Sequence, residues 1–284
     1  MNRTAHRQMF VAGFLLVGSA LDSSAEQFGL FTYEVVGDTV EITDYPTNAV
    51  GDVEIPAEID GKPVTSIANH AFRDCSGLTG VTIPEEVTTI GIGAFSRCSG
   101  LTEVILFPGG RVGDYIIPEG VPSIGSSAFS GCSGLTGVTI PEGVTTIGSS
   151  AFSGCGGLTG VTIPEGVTAI SSSAFSGCTG LADVAIPFSV TSIDLNAFRE
   201  CTSLTSVTIP ESVTTIGERA FSGCSGLTSI LVQLGNPNYV SLGGVLFNAA
   251  QTEIILYPGG RVGAYTIPED RKSTRLNSSH TSIS

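Results

Sequence analysis

The chain contains no tryptophan, only two methionines and three histidines, and its 12 Lys+Arg are outnumbered by 26 Asp+Glu, for a net charge of −14 over 284 residues. Each scarcity excludes something. So acidic a surface offers no footprint to a polyanion, and nucleic acid is not an expected partner. Two of the three histidines, His6 and His280, lie in terminal segments, which leaves His70 and too little imidazole for a histidine-based catalytic or zinc site. No GxSxG elbow, P-loop, HExxH pattern or Cys-x-x-Cys pair occurs. Aromatic content is 7%, yet 41% of the residues are hydrophobic, enough for a sizeable core.

The two ends differ from the rest. Residues 1–25 open with Arg3, His6 and Arg7, continue with an apolar stretch from Met9 to Leu21, and finish on Ser23-Ser24-Ala25. A basic start, a short apolar run and small residues at the −3 and −1 positions make a secretory signal peptide, with cleavage expected after Ala25. An uncleaved anchor is the competing reading, although the run falls short of the roughly 20 apolar residues a membrane span needs. No transmembrane helix is expected in the mature chain. Residues 271–284 lose the apolar rhythm and become rich in Ser, Thr and Arg. They read as a non-native or disordered tail and are set aside. Between the ends, residues 26–270 carry seven basic and 25 acidic residues, a charge of −18.

Self-similarity decides the architecture. Leu135 to Gly157 reads LTGVTIPEGVTTIGSSAFSGCGG, and Leu158 to Gly180 repeats it with three changes. Units of this kind start near residues 53, 78, 101, 135, 158, 181, 204 and 227, with a period of 23 residues except for the looser one at 53 and the long ones at 101 and 227. In the unit at Leu78 the fixed apolar positions are Leu78, Val81, Ile83, Val87, Ile90, Ala94, Phe95 and Cys98. Val81-Thr82-Ile83 alternates with period two and reads as a short strand. Pro84 lacks an N–H and ends it. Val87 to Ile90 returns the chain to the core. The small residues before Ala-Phe suit the cap of a single helical turn. One unit cannot bury eight apolar side chains, but stacked neighbours can, so the fold is a solenoid whose parallel sheet would run about 35 Å. Its last unit stops at Ile267-Pro268-Glu269-Asp270, before its own Val, Ile, Ala-Phe and Cys, so the array is expected to continue in the natural protein.

The pattern LxxVxIPxxVxxIxxxAFxxC closely resembles the BspA-type (Treponema-type) leucine-rich repeats of bacterial surface proteins, over residues 53–270. The resemblance implies a β-rich leucine-rich-repeat solenoid, one parallel strand plus a short return strand per coil. Residues 26–52, with the alternating stretch Phe31 to Ile42, look like the hairpin that caps such arrays. It also implies a secreted or cell-surface protein that binds other macromolecules, and it supplies no catalytic residues.

Cys75, Cys98, Cys132, Cys155, Cys178, Cys201 and Cys224 recur at one site per coil. Export favours disulfides. Equivalent side chains in a solenoid point inward in parallel, however, which suits a column of buried thiols better. Glu85, Glu119, Glu142, Glu165 and Glu211 follow the strand-ending proline and form a row interrupted by Phe188. A solvated edge explains the row, and Glu119, Glu142 and Glu165 are the candidates if it binds calcium weakly. The long units share an insert, EVILFPGGRVGDYIIPE at 103–119 and EIILYPGGRVGAYTIPE at 253–269, identical at 13 of 17 positions. Pro-Gly-Gly forces a turn that leaves the coil. Phe107, Arg111, Tyr115, Tyr257, Arg261 and Tyr265 on these inserts, with Phe188 and with Tyr239 beside a further protruding turn, are the candidate ligand contacts, because aromatics and Arg dominate binding hot spots. The competing reading packs these aromatics onto the solenoid. His70 beside Ala-Phe reads as an exposed or capping residue.

The composite expectation is a non-enzymatic, monomeric interaction or adhesion module that needs no cofactor and engages an extracellular protein or glycan. The alternative is a passive spacer within a larger surface protein. A polysaccharide-active enzyme and an ice- or crystal-binding Thr face are minor readings.

Overall fold

The computed structural model describes residues 26–84, 86–106, 122–140 and 142–262, and the strand Arg275–Leu276. The inserted side chains Phe107, Arg111, Tyr115 and Tyr265, together with Glu85, Glu119 and the first 25 residues, lie outside the described residues. Coils of the repeat stack along one axis, and each is tied to its neighbours on three sides.

The first side is the Val-Thr-Ile row. Val50–Glu54, Gly77–Ile83, Glu103–Leu106 and Gly137–Val138 pair in parallel in that order. The row continues through a Thr139–Thr162 bridge, Gly160–Thr162 with Asp183–Ala185, and Ser206–Ile209 with Ser229–Val232. Partners such as Gly160 and Asp183 are 23 residues apart, so the register is the repeat itself. Proline closes each strand, and the chain then turns at once: the N–H of Val167 donates to the Pro164 carbonyl at 3.1 Å, and Val190 to Pro187 likewise. The second side is the return row. Thr89–Ile90, Ser123–Ile124 and Thr146–Ile147 stack in parallel on Lys62–Ile67, and Ala169–Ile170, Ser192–Ile193 and Thr215–Ile216 form a further ladder.

The third side differs from the single helical turn expected there. Among the described residues there is no helix. In the coil of Phe152, alternate N–H groups bond within the coil and to the next one: Ala151 to Gly148 and Ser153 to Ser150, but Phe152 to Ala174 and Gly154 to Ser176. The cause is two left-handed residues per coil, Ser150 at φ +59° and Gly154 at φ +75°. They break helical continuity and swing every second donor along the solenoid axis. Non-glycine residues hold the first of these sites in most coils, from His70 to Arg219, each strained unless its neighbours over-determine it.

Inside, the columns are almost completely apolar. Phe95, Phe129, Phe152, Phe175, Phe198 and Phe221 stack at 5.3–5.5 Å between centroids with planes 1–10° apart. Phe72, then Tyr45 and Phe31, carry the aromatic column into the N-terminal strands. The seven cysteines are free and buried. Each thiol from Cys98 to Cys224 points at the carbonyl of the phenylalanine in the preceding coil, at 3.0–3.2 Å. Apart from Tyr33 and Tyr45, no polar or charged residue among the described residues is buried.

Both ends of the array carry other structure. At the front, Phe31–Val36 and Thr39–Asp44 form a hairpin whose second strand accepts Lys62–Ile67, and Glu26–Phe28 adds to its outer edge. The buried Tyr33 hydroxyl lies 2.8 Å from a Glu26 carboxylate oxygen and 2.7 Å from one of Asp60, which pins the edge strand to the first coil. At the back, Tyr239–Leu242, Val245–Asn248 and Glu253–Leu256 form an antiparallel meander, and Arg275–Leu276 runs parallel on its far edge. Leu246 and Leu256 from this meander join the main core.

Two predictions follow from the columns. Phe152→Ala should cost about 3–5 kcal/mol, whereas Phe188→Ala, at a site 57% exposed, should stay within about 0.5 kcal/mol; denaturant midpoints of the two variants check this. Burial pushes the thiols of Cys75 and Cys178 up from 9.0 to about 12, and that of Cys224 to about 11. A raised folded-state value keeps the proton on a thiol that the unfolded chain would have ionised. Stability present below pH 9 should therefore fall as pH rises toward about 11–12, and a thiol reagent should label the native protein negligibly but the unreduced, denatured protein at seven sites.

Candidate functional site

Among the described residues, the outer face of the Val-Thr-Ile row is one surface that the fold leaves bare. Side chains alternate there by strand geometry, so Val161 and Val184 go to the core while Gly160, Thr162, Asp183 and Ala185 are exposed. Thr102, Thr136 and Thr159 border this face, and each donates its hydroxyl to a carbonyl of the preceding coil at 2.9–3.2 Å. They are therefore occupied as donors. Between them and Ala185 runs an open trough floored by Gly137, Thr139, Gly160 and Thr162, with Asp183 as its carboxylate. A Cβ at Gly137 or Gly160 would meet no atom within 4 Å. The trough thus exposes backbone where a side chain would fit freely, which suits contact with a broad partner surface. It brings together no nucleophile and base, and among the described residues no three His, Cys, Asp or Glu side chains converge to hold a metal ion.

Beside the trough lies the corner after the strand-ending proline. Glu142, Glu165 and Glu211 are exposed there, and Phe188 takes the same place in its own coil.

At the C-terminal end the side chains converge on one another. Tyr239 receives the Ile216 N–H on its hydroxyl at 3.0 Å and donates to the Thr214 carbonyl at 3.4 Å, which closes the return row. Burial raises its pKa. Asn236 does more: its amide nitrogen donates to the Pro210 and Val213 carbonyls at 2.7 and 3.1 Å, while its oxygen accepts from the Asn238 and Tyr239 N–H groups at 2.9 Å.

Residues 51–111 and 106–228 match the BspA type leucine rich repeat region in six copies. The chain belongs to the BspA-type leucine-rich repeat family. Among solved structures, a leucine rich cell surface protein from Faecalibacterium prausnitzii is 36% identical with a TM-score of 0.74, over 87% of this chain and 65% of that one. The chain thus spans less than two thirds of that relative's length. The Treponema pallidum leucine rich repeat protein is 31% identical with a TM-score of 0.61, over 71% of this chain and 90% of that one. The pneumococcal vaccine antigen PcpA, at 22% identity and a TM-score of 0.50 over 84% and 57% of the two chains, shares the fold. No curated protein sequence matches. Leucine-rich repeat domains generally mediate protein interaction, and proteins of this kind are typically non-enzymatic.

Within this BspA-type array the sequence-derived contact candidates separate. Tyr239, Tyr257 and Arg261 gather at the C-terminal meander, where each makes contacts within the chain. Tyr257 packs on the small core of Val245, Phe247 and Ile254. The Arg261 guanidinium donates to the Gly243 carbonyl. The second insert does not leave the solenoid at Pro-Gly-Gly: Pro258 is buried, and the Gly260 N–H donates to the Leu227 carbonyl at 2.8 Å, so the loop folds back across the last coil. Likewise Asn236 to Tyr239, expected as a protruding turn, is the clasp of that coil. Of the described candidates only Phe188 stands apart, exposed and outside the core cluster. Glu142 and Glu165 are exposed one coil apart.

Two features escaped the sequence reading. The trough is signalled only by glycine at an outward strand position, and Asn236 only by the Asn-Pro-Asn turn chemistry. Asn236→Ala leaves the Pro210 and Val213 carbonyls without that donor, and should destabilise the C-terminal coils by about 1–3 kcal/mol; faster amide exchange at Ile216 and Tyr239 would report it locally.

Proposed function

We propose that the protein is a secreted or cell-surface, non-enzymatic module that holds its uncovered strand face against an extracellular protein or glycan. The observation that carries this reading is the trough from Thr102 to Ala185, a stretch of open sheet on a ladder-tied body. Membership of the BspA-type family and the likeness to a cell surface protein support a surface location. No helix among the described residues is long and apolar enough to cross a membrane. Residues 1–25 are the proposed signal peptide, Phe107, Arg111, Tyr115 and Tyr265 are proposed as further contacts, and Glu119, Glu142 and Glu165 as weak calcium ligands. The described part of the first insert, Glu103–Leu106, is the strand that pairs with Gly137–Val138.

A passive spacer is the second reading. The observation that favours it is the poverty of the strand face itself, which shows Gly, Thr and Ala where an evolved contact would show larger groups.

An array of extracellular-matrix proteins and glycans, probed with the protein and with its Gly137→Lys/Gly160→Lys variant, separates the two. Lysine fits the open space at both sites, so circular dichroism should not change. The interaction reading expects specific binding that falls about tenfold or more in the variant. Binding that the variant retains moves the contact off the trough, and no binding at all favours the spacer.

A further inference from the structure

The corner column that borders the trough carries chemistry of its own. Phe188 follows the buried Pro187 at the site where Glu142, Glu165 and Glu211 stand in neighbouring coils. Its backbone is fixed from both sides: the Val190 N–H donates to the Pro187 carbonyl at 3.1 Å, and the Ser189 hydroxyl to the Val167 carbonyl at 2.6 Å. The ring itself is 57% exposed and takes no part in the core. Leu234 occupies the same site two coils on and is 97% exposed, and Leu231, on the adjoining outward strand position, is 51% exposed. Three large apolar side chains thus lie along one edge within three coils, on a surface where isolated ones are the norm.

Charge at this edge is of one sign. Glu165 and Glu211 flank Phe188 at one coil's rise, about 4.8 Å, on either side, and Asp183 lies on the strand leading to it. From Gly77 to Val232 the described basic residues are Arg97, Arg199 and Arg219, all of them on the Ala-Phe turn and none on the strand face or this corner. Arg97 is turned to Asp74 and Arg199 to Glu200. An anchored aromatic between two carboxylates, with apolar side chains beyond it, is complementary to a guanidinium that stacks on the ring and is bracketed by the acids.

We propose that the Phe188 corner docks an arginine-bearing, apolar segment of a partner protein, with the guanidinium over Phe188 between Glu165 and Glu211 and a neighbouring apolar side chain against Leu231 and Leu234. This rests on the interaction reading above and narrows it to a cationic partner. Phe188 is the departure from the repeat that creates the site, since a fourth glutamate there would only continue the row.

The test uses the full chain and a dye-labelled octapeptide of alternating Arg and Leu, with the corresponding Glu-Leu peptide as control, followed by fluorescence anisotropy. The variant Phe188→Glu restores the residue found at this site in the neighbouring coils, so it folds, and it makes the corner more acidic. Attraction by charge alone would strengthen binding of the cationic peptide in this variant. Docking over the ring requires the opposite, a loss of about tenfold. Glu165→Gln/Glu211→Gln should also weaken binding about tenfold, and moving from about 20 to 200 mM salt should weaken it in the parent protein. Equal or tighter binding by Phe188→Glu overturns the proposal, as does equal binding of the Glu-Leu peptide. A ligand from the matrix array that is lost in Gly137→Lys/Gly160→Lys but bound normally by Phe188→Glu overturns this assignment and leaves the strand-face reading standing.

Discussion

A phenylalanine ring that must lie flat on the ring of the next coil sets the terms for the rest of this molecule. Rings within 10° of parallel from Phe95 to Phe221 require successive coils to follow the same path with no sideways slip. The carbonyl of each phenylalanine from Phe72 to Phe198 then meets both the N–H of its own coil's cysteine and the thiol of the next. A slip of one residue would break this contact and the rungs of both strand rows together. That is why the cysteines serve as small buried donors and make no cross-links, and why the 34-residue unit must return to register by Ser123–Ile124.

Uniform interiors leave individuality to the outside. Among the described coils the inward columns scarcely vary, while the outward strand site passes through Gly137, Gly160, Asp183, Ser206 and Ser229, and the corner site through Glu142, Glu165, Phe188 and Glu211. Changes at these sites cost little in stability because the ladder beneath is held by backbone and core. They alter what the surface can recognise, as the exposed ring at Phe188 and the bare backbone at Gly137 and Gly160 illustrate. The end structures obey the opposite rule. Tyr239, Tyr257 and Arg261 look like recognition residues by type, yet Tyr239, with Asn236, meets hydrogen-bonding needs left by the coil before it, and Tyr257 and Arg261 meet those of the meander itself. Where a coil is followed by something other than a coil, that structure has to satisfy the coil's open rungs.

The distinction marks how far the sequence could be read. Period, strand row, return row and the buried Phe and Cys columns were legible, because each is a repeated one-dimensional pattern and a repeat that stacks must place equivalent residues together. The sequence predicts a helical Ala-Phe turn, which the structure does not form. Its small residues permit a helix, but alternate donors are pulled to the next coil, a contact that no local propensity encodes. Pro-Gly-Gly breaks a coil and so predicts a protruding second insert. Whether the broken chain then leaves or folds back depends on the Leu227 carbonyl waiting for the Gly260 N–H.

By itself, then, the amino-acid sequence determined the solenoid, its handful of inward columns and its acidic surface, since these follow from periodicity and composition alone. Only the tertiary structure decided which exceptional residues remain available to a partner. Phe188 and Tyr239 are both aromatics that break the repeat. One stands exposed on a corner and the other closes the return row, because availability depends on which backbone groups of a neighbouring coil lie unsatisfied beside the side chain, and that is fixed by stacking.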